Sequence, residues 1–544
     1  MMMMNLIMII SFITLILSLF MLLNNMFIML SIPIIKFNMF ILPVDLIMDW
    51  ISMLFLSTVT LISSLILMYS IYYIEKKEQY KFMLLMMLFV SSMIILIISN
   101  NMFLLLLGWD GLGLSSYMLV IFYQNYMSAA SGSITLISNR MGDILILLSM
   151  SMNMIIMNWN FNNNMYYPYM SMLLMMLAAC SKSAQFPFSA WLPMAMAAPT
   201  PISALVHSST LVTAGVFMLL RIMFNYNTLS NILMIIASMT AIFASMTACW
   251  EQDMKKIIAY STLSQIAMMM FAISMNAFML AFMHLIIHAL FKSTMFLCAG
   301  NMIHESMYQD MRMMGMNMNL LLIPSTTLGI TSLALMGMPF SSGFFSKDSI
   351  IENLMNLKIN SMMTMLIIMS IGMTASYSIR MISMSNKWYM KSYSNLSNHL
   401  NLPSIMPLMI MSPLSITSGS MLTWLLIPDQ IFMMNMSFKM YIISMLLLGM
   451  IIGLYLSNKN YMNNKLGLSS ISIWFIHIMS IIPKKLFSPI MMIMLKNDKK
   501  WQENYGPNKS FYINMKMANF INMKKSTMMF IILTIIMMPM TLLL

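Results

Sequence analysis

The chain has 544 residues and a formal net charge of +13, and it is 60% hydrophobic and only 8% charged, with a mean hydropathy of +0.84. A soluble core cannot hold that much apolar surface, whereas a bundle of membrane-spanning segments requires it. The apolar runs are about 20 residues long and do not alternate, so the spanning elements are expected to be helices. The composition therefore predicts an all-α polytopic membrane protein.

The N-terminus is apolar from its first residues and has neither a basic n-region nor an Arg-rich transit sequence. Methionine supplies 85 residues, and only four of the 28 basic residues are arginine. An AT-rich gene read with a mitochondrial code would produce both biases. Methionine as an adaptable packing residue explains the first bias in part but not the second. We therefore expect synthesis inside an organelle.

Apolar runs bounded by polar residues, proline or glycine predict fifteen membrane-spanning helices. They lie at 3–23, 46–72, 82–99, 101–123, 133–157, 171–191, 202–222, 231–249, 255–275, 278–299, 320–345, 361–384, 404–426, 439–456 and 526–543. The segment 26–42 contains Pro33 and Lys36 and predicts either a sixteenth span or a surface loop.

The loops between these runs alternate in charge. The loops at 99–101, 158–169 and 225–231 carry no lysine. The alternate loops hold the basic residues Lys76, Lys77, Lys81, Lys255, Lys256, Arg312, Lys387 and Lys391. The positive-inside rule places this basic set toward the matrix or cytoplasm.

Two charged residues stand alone inside apolar runs, Asp110 in LLLLGWD and Lys182 in LAACSKSAQFPFSAW. A charge at membrane depth is costly and by default faces a bundle interior or a water-filled path. One buried acid and one buried base are the minimum parts of a proton relay, because each can change the proton affinity of the other.

Two prolines predict broken helices beside lysines. Pro187 follows Lys182, and Pro339 precedes Lys347, in the similar sequences PFSAW and PFSSGF. Each proline removes a backbone donor and frees a carbonyl group, which is tolerated at membrane depth only against protein or water. Paired interruptions in two halves are typical of transporters built from repeats, although a simple helix bend is the structural alternative.

His284, His288 and Lys292 recur every fourth residue and so form a row on one helix face. Two histidines without the H-E-x-x-H pattern do not predict a zinc site. The row is expected to conduct protons, since histidine titrates near neutral pH; histidines that only hydrogen-bond to neighbouring helices are the alternative. His207 either links Lys182 to this row or bonds to a serine.

Other charged groups have a local interpretation. Arg140 and Asp143 are three residues apart and form either an anchoring pair or part of the path. A solvated face is expected for the set Glu251, Asp253, Lys255 and Lys256. Lys347 and Asp348 are expected to close a helix, as an exit gate or as a surface pair.

The segment 480–525 holds nine lysines among apolar residues and three prolines. It predicts amphipathic helix lying in the membrane interface, with a solvated basic linker as the alternative, and a final anchor follows at 526–543. Cys180, Cys249 and Cys298 lie far apart in apolar runs, and no nucleotide-binding motif occurs. No metal, nucleotide or redox cofactor is therefore expected in this chain.

Five segments between about 45 and 385 resemble the chain 5 family of NADH-ubiquinone oxidoreductase, the antiporter-like membrane subunits of mitochondrial respiratory complex I, in its insect form. They read LFVSSMIILIISNNMFLLLLGWDGLGLSSYMLVIFYQN, SKSAQFPFSAWLPMAMAAPTPISALVHSSTLVTAGVFMLLR, DMKKIIAYSTLSQIAMMM, HLIIHALFKSTMFLCAGNMIHE and MGMPFSSGFFSKD. The resemblance implies a proton-pumping module of two inverted five-helix repeats with broken helices at 171–191 and 320–345.

The resemblance also implies roles for individual residues. Asp110, which is glutamate in many relatives, pairs with Lys182, and Asp143 supports the pair. His207 and the His284–His288–Lys292 row form a central hydrophilic axis, and Lys347 lies on the exit side. NADH, FMN, iron–sulfur clusters and ubiquinone are bound by other subunits.

The expected organisation has six parts: N-terminal helices at 1–81, repeats at 82–222 and 231–384, C-terminal helices at 385–456, a lateral amphipathic helix at 457–525 and an anchor at 526–544. The expected location is the mitochondrial inner membrane, with neighbouring membrane-arm subunits, accessory subunits and lipids such as cardiolipin as partners, and no nucleic acid. A free-standing cation/proton antiporter and a non-conducting scaffold, whose polar residues only join helices, are the alternatives.

Overall fold

The computed structural model describes residues 2–523. The exceptions are 38–39, 155–158, 162–167, 223–226, 315–320, 357–360, 387–401, 428–435, 459–475 and 503. The predicted anchor at 526–543 and the loop of Lys387 and Lys391 lie outside the described residues.

The chain divides into two compact units, Met1–Ile471 and Ser472–Leu544. The first unit is a helical bundle with one hairpin. Its elements are α1 Met2–Asn24, β1 Ile28–Phe37, β2 Phe40–Met48, α2 Trp50–Tyr73, α3 Gln79–Ile98, α4 Met102–Val120, α5 Tyr126–Asn153, α6 Tyr169–Lys182, α7 Trp191–Met194, α8 Thr200–Ile202, α9 Leu211–Ile222, α10 Asn227–Trp250, α11 Met254–Ser274, α12 Phe278–Ser306, α13 Leu322–Met336, α14 Ser342–Asn356, α15 Ser361–Ser385, α16 Leu402–Leu426 and α17 Met436–Asn458.

A π-helical segment, Ser203–Thr210, joins α8 to α9, so that Thr200–Ile222 runs as one span. The second unit holds α18 Ile476–Lys496 and α19 Lys509–Met523. Basic amphipathic helix was predicted across this part of the chain, and its described residues are helical.

Twelve helices in the described residues are long and apolar enough to cross a membrane. Two further spans are broken, α6 with α7 and α13 with α14. Together they correspond to fourteen of the fifteen predicted runs, and the fifteenth is the undescribed anchor. The all-α polytopic prediction is confirmed.

The prediction for 26–42 is wrong in both of its forms, because this segment belongs to an antiparallel hairpin. Its register runs from Ile28 opposite Met48 to Phe37 opposite Phe40. Pro33 and Pro43 lie opposite each other in the hairpin. Proline interrupts a helix but is tolerated in an edge strand. The strands have ten and nine residues, fewer than the roughly 20 that a membrane-spanning helix needs.

Loop contacts identify two faces of the bundle. On the hairpin face, the Asn100 amide donates to the Asp45 carbonyl at 3.0 Å. On the opposite face, the segments around Asp253 and Asp310 pair as a β-bridge. The Tyr72 hydroxyl group, at the end of α2, donates to Oε1 of Glu305 near this face, so the loop at 74–78 lies there with 251–253 and the start of α11. We call this second face the lysine-rich face, because it includes Lys76, Lys77, Lys255 and Lys256. The helices therefore alternate in direction as the loop charges predicted.

The centre of the bundle is formed by three spans whose apolar windows are entirely buried, Thr200–Ile222, Met254–Ser274 and Phe278–Ser306. The predicted histidines and Lys292 belong to these spans, so their side chains lie inside protein and away from the bundle surface.

Candidate functional site

Lys182 is the last residue of α6 and is completely buried. Its Nζ donates to the backbone carbonyl of Trp109 at 2.5 Å and lies 4.0 Å from the centroid of the Trp109 ring. The ammonium group is thus held by a carbonyl oxygen and by the negative face of an aromatic ring. Among the described residues, no carboxylate lies within ion-pair distance of Lys182.

Asp110 contacts Arg140 where the resemblance implied a pair with Lys182. The Nη1 atom of Arg140 lies 3.7 Å from Oδ2 of Asp110 and 3.1 Å from Oδ2 of Asp143. The guanidinium group therefore bridges two carboxylates on α4 and α5. Sequence spacing indicated the Arg140–Asp143 contact but gave no signal for the bridge, because Asp110 is on a different helix.

A close approach of α5 to α6 brings Asp143 toward Lys182. Gly142 packs against Ser181, and a Cβ at position 142 would overlap the Ser181 hydroxyl group. Only a residue without a side chain allows this separation. The glycine thus brings an acid beside one end of the broken helix.

The break after α6 is stabilised by side chains. Pro187 has no amide hydrogen for the Ser183 carbonyl, and the side-chain amide of Gln185 donates to that oxygen at 3.3 Å. Thr240 of α10 in turn donates to Oε1 of Gln185 at 2.5 Å. Sequence reasoning missed Gln185, although its position two residues before the proline was an available signal.

His207 lies on the π-helical segment and is buried. Its ring centroid is 6.2 Å from that of Trp191, whose indole N–H donates to the Ser181 carbonyl at 3.0 Å. Trp191 therefore lies between His207 and the end of α6. Both ring nitrogens of His207 are buried without a hydrogen-bond partner among the described residues. A buried polar atom in this state marks a position where water would bond.

The row on α12 is buried throughout. Lys292 donates from Nζ to the Ser261 hydroxyl group on α11. The His284 and His288 rings are 6.3 Å apart, and both nitrogens of His288 lack a partner among the described residues. His284 shares a 2.8 Å hydrogen bond through Nδ1 with the hydroxyl group of Ser346.

Lys347 is buried in the second turn of α14, so it neither closes a helix nor forms a surface pair. Its Nζ donates to the Leu335 carbonyl near the end of α13. That oxygen is free because residue 339, four positions later, is Pro339. Gly337, with φ of +79°, forms the left-handed end of α13. Lys347 is thus bonded to the carbonyl group that the break exposes. It directly follows Ser346, whose hydroxyl group forms the hydrogen bond with His284.

The set around Glu251 is only partly solvated, so the predicted solvated face is corrected. Lys256 and Asp253 form an ion pair of 2.7 Å with accessible side chains. Lys255 is buried instead and donates to the Ala198 carbonyl at 3.1 Å, and burial raises the pKa of the Glu251 carboxyl group. The short loop packs against its neighbours, including Arg380, which donates to the Glu251 carbonyl.

Three family models match consecutive parts of the chain. Residues 35–82 match the N-terminus of NADH-ubiquinone oxidoreductase (complex I) chain 5, residues 99–374 match the NADH:quinone oxidoreductase/Mrp antiporter transmembrane family, and residues 377–544 match the NADH dehydrogenase subunit 5 C-terminus.

Similar proteins carry the same description. The protein from Aedes aegypti named NADH-ubiquinone oxidoreductase chain 5 is 38% identical over 481 residues, which cover 84% of this chain and 83% of the relative. The protein of that name from Locusta migratoria is 40% identical over 70% of this chain and 69% of its own length. A chain of the Mrp complex from Dietzia sp. DQ12-45-1b has a TM-score of 0.71 at 20% identity, covering 87% of this chain and 56% of the other, and supports the fold.

Proposed function

The chain belongs to the chain 5 family of NADH-ubiquinone oxidoreductase, and on this premise we propose that protons cross it along Lys182, His207, the His284–His288–Lys292 row and Lys347. It is a proton-translocating, antiporter-like membrane subunit of complex I. Electron transfer from NADH to ubiquinone, with FMN and iron–sulfur clusters, is proposed to take place in other subunits.

The observation that carries the proposed path is a series of buried basic side chains without carboxylate partners. Lys182, Lys292 and Lys347 are all buried, and among the described residues none of them forms an ion pair. An unpaired buried cation is unstable, which favours exchange of its proton. His207 and His288 lie between these lysines in the proposed sequence and offer nitrogen atoms to bridging water.

Arg140 is proposed as the switch of the first half, with Asp110 and Asp143 as the charges that it releases or holds. Two unit charges about 4 Å apart interact by about 4 kcal/mol at an effective dielectric constant of about 20. Moving one charge against about 180 mV costs a similar amount, at about 2.3 kcal/mol per 100 mV. Breaking one such contact, so that a carboxylate turns toward Lys182, is therefore energetically comparable to moving one proton.

Two inverted repeats, 82–222 and 231–384, are the proposed framework of the path. The support is that α6 with α7 and α13 with α14 are broken at a proline and flanked by a buried lysine. The positive-inside rule assigns the lysine-rich face to the matrix, so that uptake is proposed there and release at the hairpin face.

The chain is a multi-pass membrane protein of the mitochondrial complex and has partners in its membrane arm. We propose that the chain lies in the inner membrane, that it is encoded by the organelle, and that residues 457–525 contact neighbouring subunits, accessory subunits and cardiolipin.

The side chains of Asp110 and Arg140 are 35% and 43% exposed within membrane-spanning helices. Lipid tails cannot accommodate these charges, so this face of α4 and α5 is proposed to adjoin a neighbouring subunit.

Neutralising Lys182 in the assembled complex tests the path. Lys182→Met is expected to reduce the number of protons pumped per NADH, whereas Lys255→Met, which removes a buried lysine outside the path, is expected to leave it unchanged. If Lys182→Met impairs assembly but the remaining complexes pump with normal stoichiometry, the scaffold alternative is correct. If the protein purifies separately from NADH dehydrogenase activity, that result would support the free-standing antiporter.

A further inference from the structure

One ion pair near the hairpin face joins two distant helices. Oε1 of Glu352, on α14, lies 3.4 Å from Nζ of Lys439, on α17. The Glu352 side chain is only 10% exposed, whereas that of Lys439 is 39% exposed. Because α14 runs from the break toward the hairpin face and α17 begins at that face, the pair lies between the bundle interior and the surface.

Glu352 continues an acidic stripe, which consists of Asp348 and Glu352 on one side of α14. The two residues are four positions apart, so their side chains are neighbours along the helix, separated by a rise of about 6 Å. Among the described residues, the charges that act on Glu352 are those of Asp348 and Lys439. The stripe starts at Asp348, which directly follows the buried Lys347 in the chain, and ends one turn before the end of the helix.

Both helices are fixed by close glycine contacts. A Cβ at Gly343 would overlap the Ala334 carbonyl of α13, and a Cβ at Gly449 would overlap the Gly372 carbonyl of α15. The backbones that carry Glu352 and Lys439 are therefore held in place. The part of the pair that is free to move is the long, partly exposed side chain of Lys439.

We infer that Glu352 receives the proton of Lys347 by way of Asp348 and releases it at the hairpin face, with Lys439 as a positioning cation. The inference rests on the proposed function, in which Lys347 is the last lysine of the path. The Lys347 ammonium group loses a proton and becomes an amine, and the Glu352 carboxylate gains that proton. The new O–H bond then breaks, the proton passes to water, and the carboxylate re-forms beside Lys439. The cation stabilises the ionised carboxylate and so favours release over retention.

The test measures pumping by the assembled complex in vesicles while the pH of the medium at the hairpin face is varied. Glu352→Gln is expected to slow pumping about tenfold, and Glu352→Asp to retain part of it. Lys439→Met is expected to shift the half-maximal pH at that face upward by about one unit, because an opposite charge at this distance shifts proton affinity by one unit or more. Lys256→Met, which breaks an exposed ion pair on the other face, is the matched control and is expected to change neither quantity.

The exchanged pair, Glu352→Lys with Lys439→Glu, tests whether the ion pair releases protons or only holds α14 against α17. A purely structural ion pair would be restored by the exchange, so full recovery of pumping would overturn the inference. Assembly with slow pumping would support it, because the acid then lies on α17, away from Lys347. If Glu352→Gln fails to assemble, an unchanged pumping rate in Glu352→Asp together with an unchanged pH profile in Lys439→Met would overturn it. Lys182→Met is measured in parallel, and a loss of pumping there with none in the Glu352 variants rejects this inference alone.

Discussion

The two broken helices hold their lysines in different ways, although each break contains a proline without an amide donor. At the first break, the freed carbonyl of Ser183 accepts from the Gln185 side chain. At the second, the freed carbonyl of Leu335 accepts from Lys347 itself. The first lysine is therefore independent of the exposed backbone, whereas the second is bonded to it.

The groups that surround the two lysines also differ. Lys182 lies over an aromatic ring near two carboxylates bridged by Arg140, so a side-chain movement alone can change its charge environment. Lys347 is bonded to a helix end and lies beside Ser346, the partner of His284. We propose that the first half is suited to electrostatic switching, and that the second half depends on the geometry of its break.

The largest expected effect is that of Lys347→Met. The variant removes the titrating group at the second break and leaves a side chain of similar length. Protons pumped per NADH by assembled complexes should fall at least about tenfold if release depends on this lysine. Lys256→Met controls for loss of a lysine in general, and unchanged stoichiometry in Lys347→Met would remove Lys347 from the path.

Alanine substitutions at two glycines compare the packing of the breaks. At Gly343 the new Cβ would overlap a backbone carbonyl, whereas at Gly142 it would overlap a hydroxyl group that can rotate away. Overpacking costs about 1–3 kcal/mol, so we expect the upper end for Gly343→Ala and the lower end for Gly142→Ala. Denaturant titration of the free energy of unfolding measures both, and equal costs would contradict the difference.

Replacing each proline tests whether only the second lysine depends on its break. Pro339→Ala supplies an amide that can donate to the Leu335 carbonyl and so compete with Lys347. Pro187→Ala supplies one for the Ser183 carbonyl, where the competitor is Gln185. We expect pumping to fall several-fold in the first variant and to change less in the second, as measured by acidification of vesicles at equal NADH oxidation. The reverse order would refute the comparison.

Sequence patterns predicted the spans well, because membrane solvation imposes a strong composition on them. They were less successful for the buried bases, since Lys255 was expected to be solvated and is buried. Asp110 and Lys182 were identifiable as charges in apolar runs, and both breaks as prolines beside lysines. The burial of Lys347 was not predicted, because the apolar run that precedes it ends at residue 345. The hairpin was missed because its apolar residues resemble a short span. The Arg140 bridge and the Glu352–Lys439 pair were missed because contacts between distant helices leave no local spacing in one sequence.

The smallest expected effect concerns the aromatic ring beneath Lys182. A cation over an indole face is stabilised by about 1–2 kcal/mol when desolvated, and the Nζ of Lys182 is 4.0 Å from the Trp109 centroid. Trp109→Leu removes this stabilisation and leaves the backbone carbonyl bond in place, so the ammonium form is weakened and half-maximal pumping should move to lower pH by roughly one unit. Trp109→Phe should retain much of the effect, and Trp424→Leu, at an exposed position of α16, should have none. A shift of the half-maximal pH in Trp109→Leu and none in Trp424→Leu would show that Lys182 depends on the aromatic ring beneath it. Lys347 differs, because it is held by a carbonyl oxygen at a helix end.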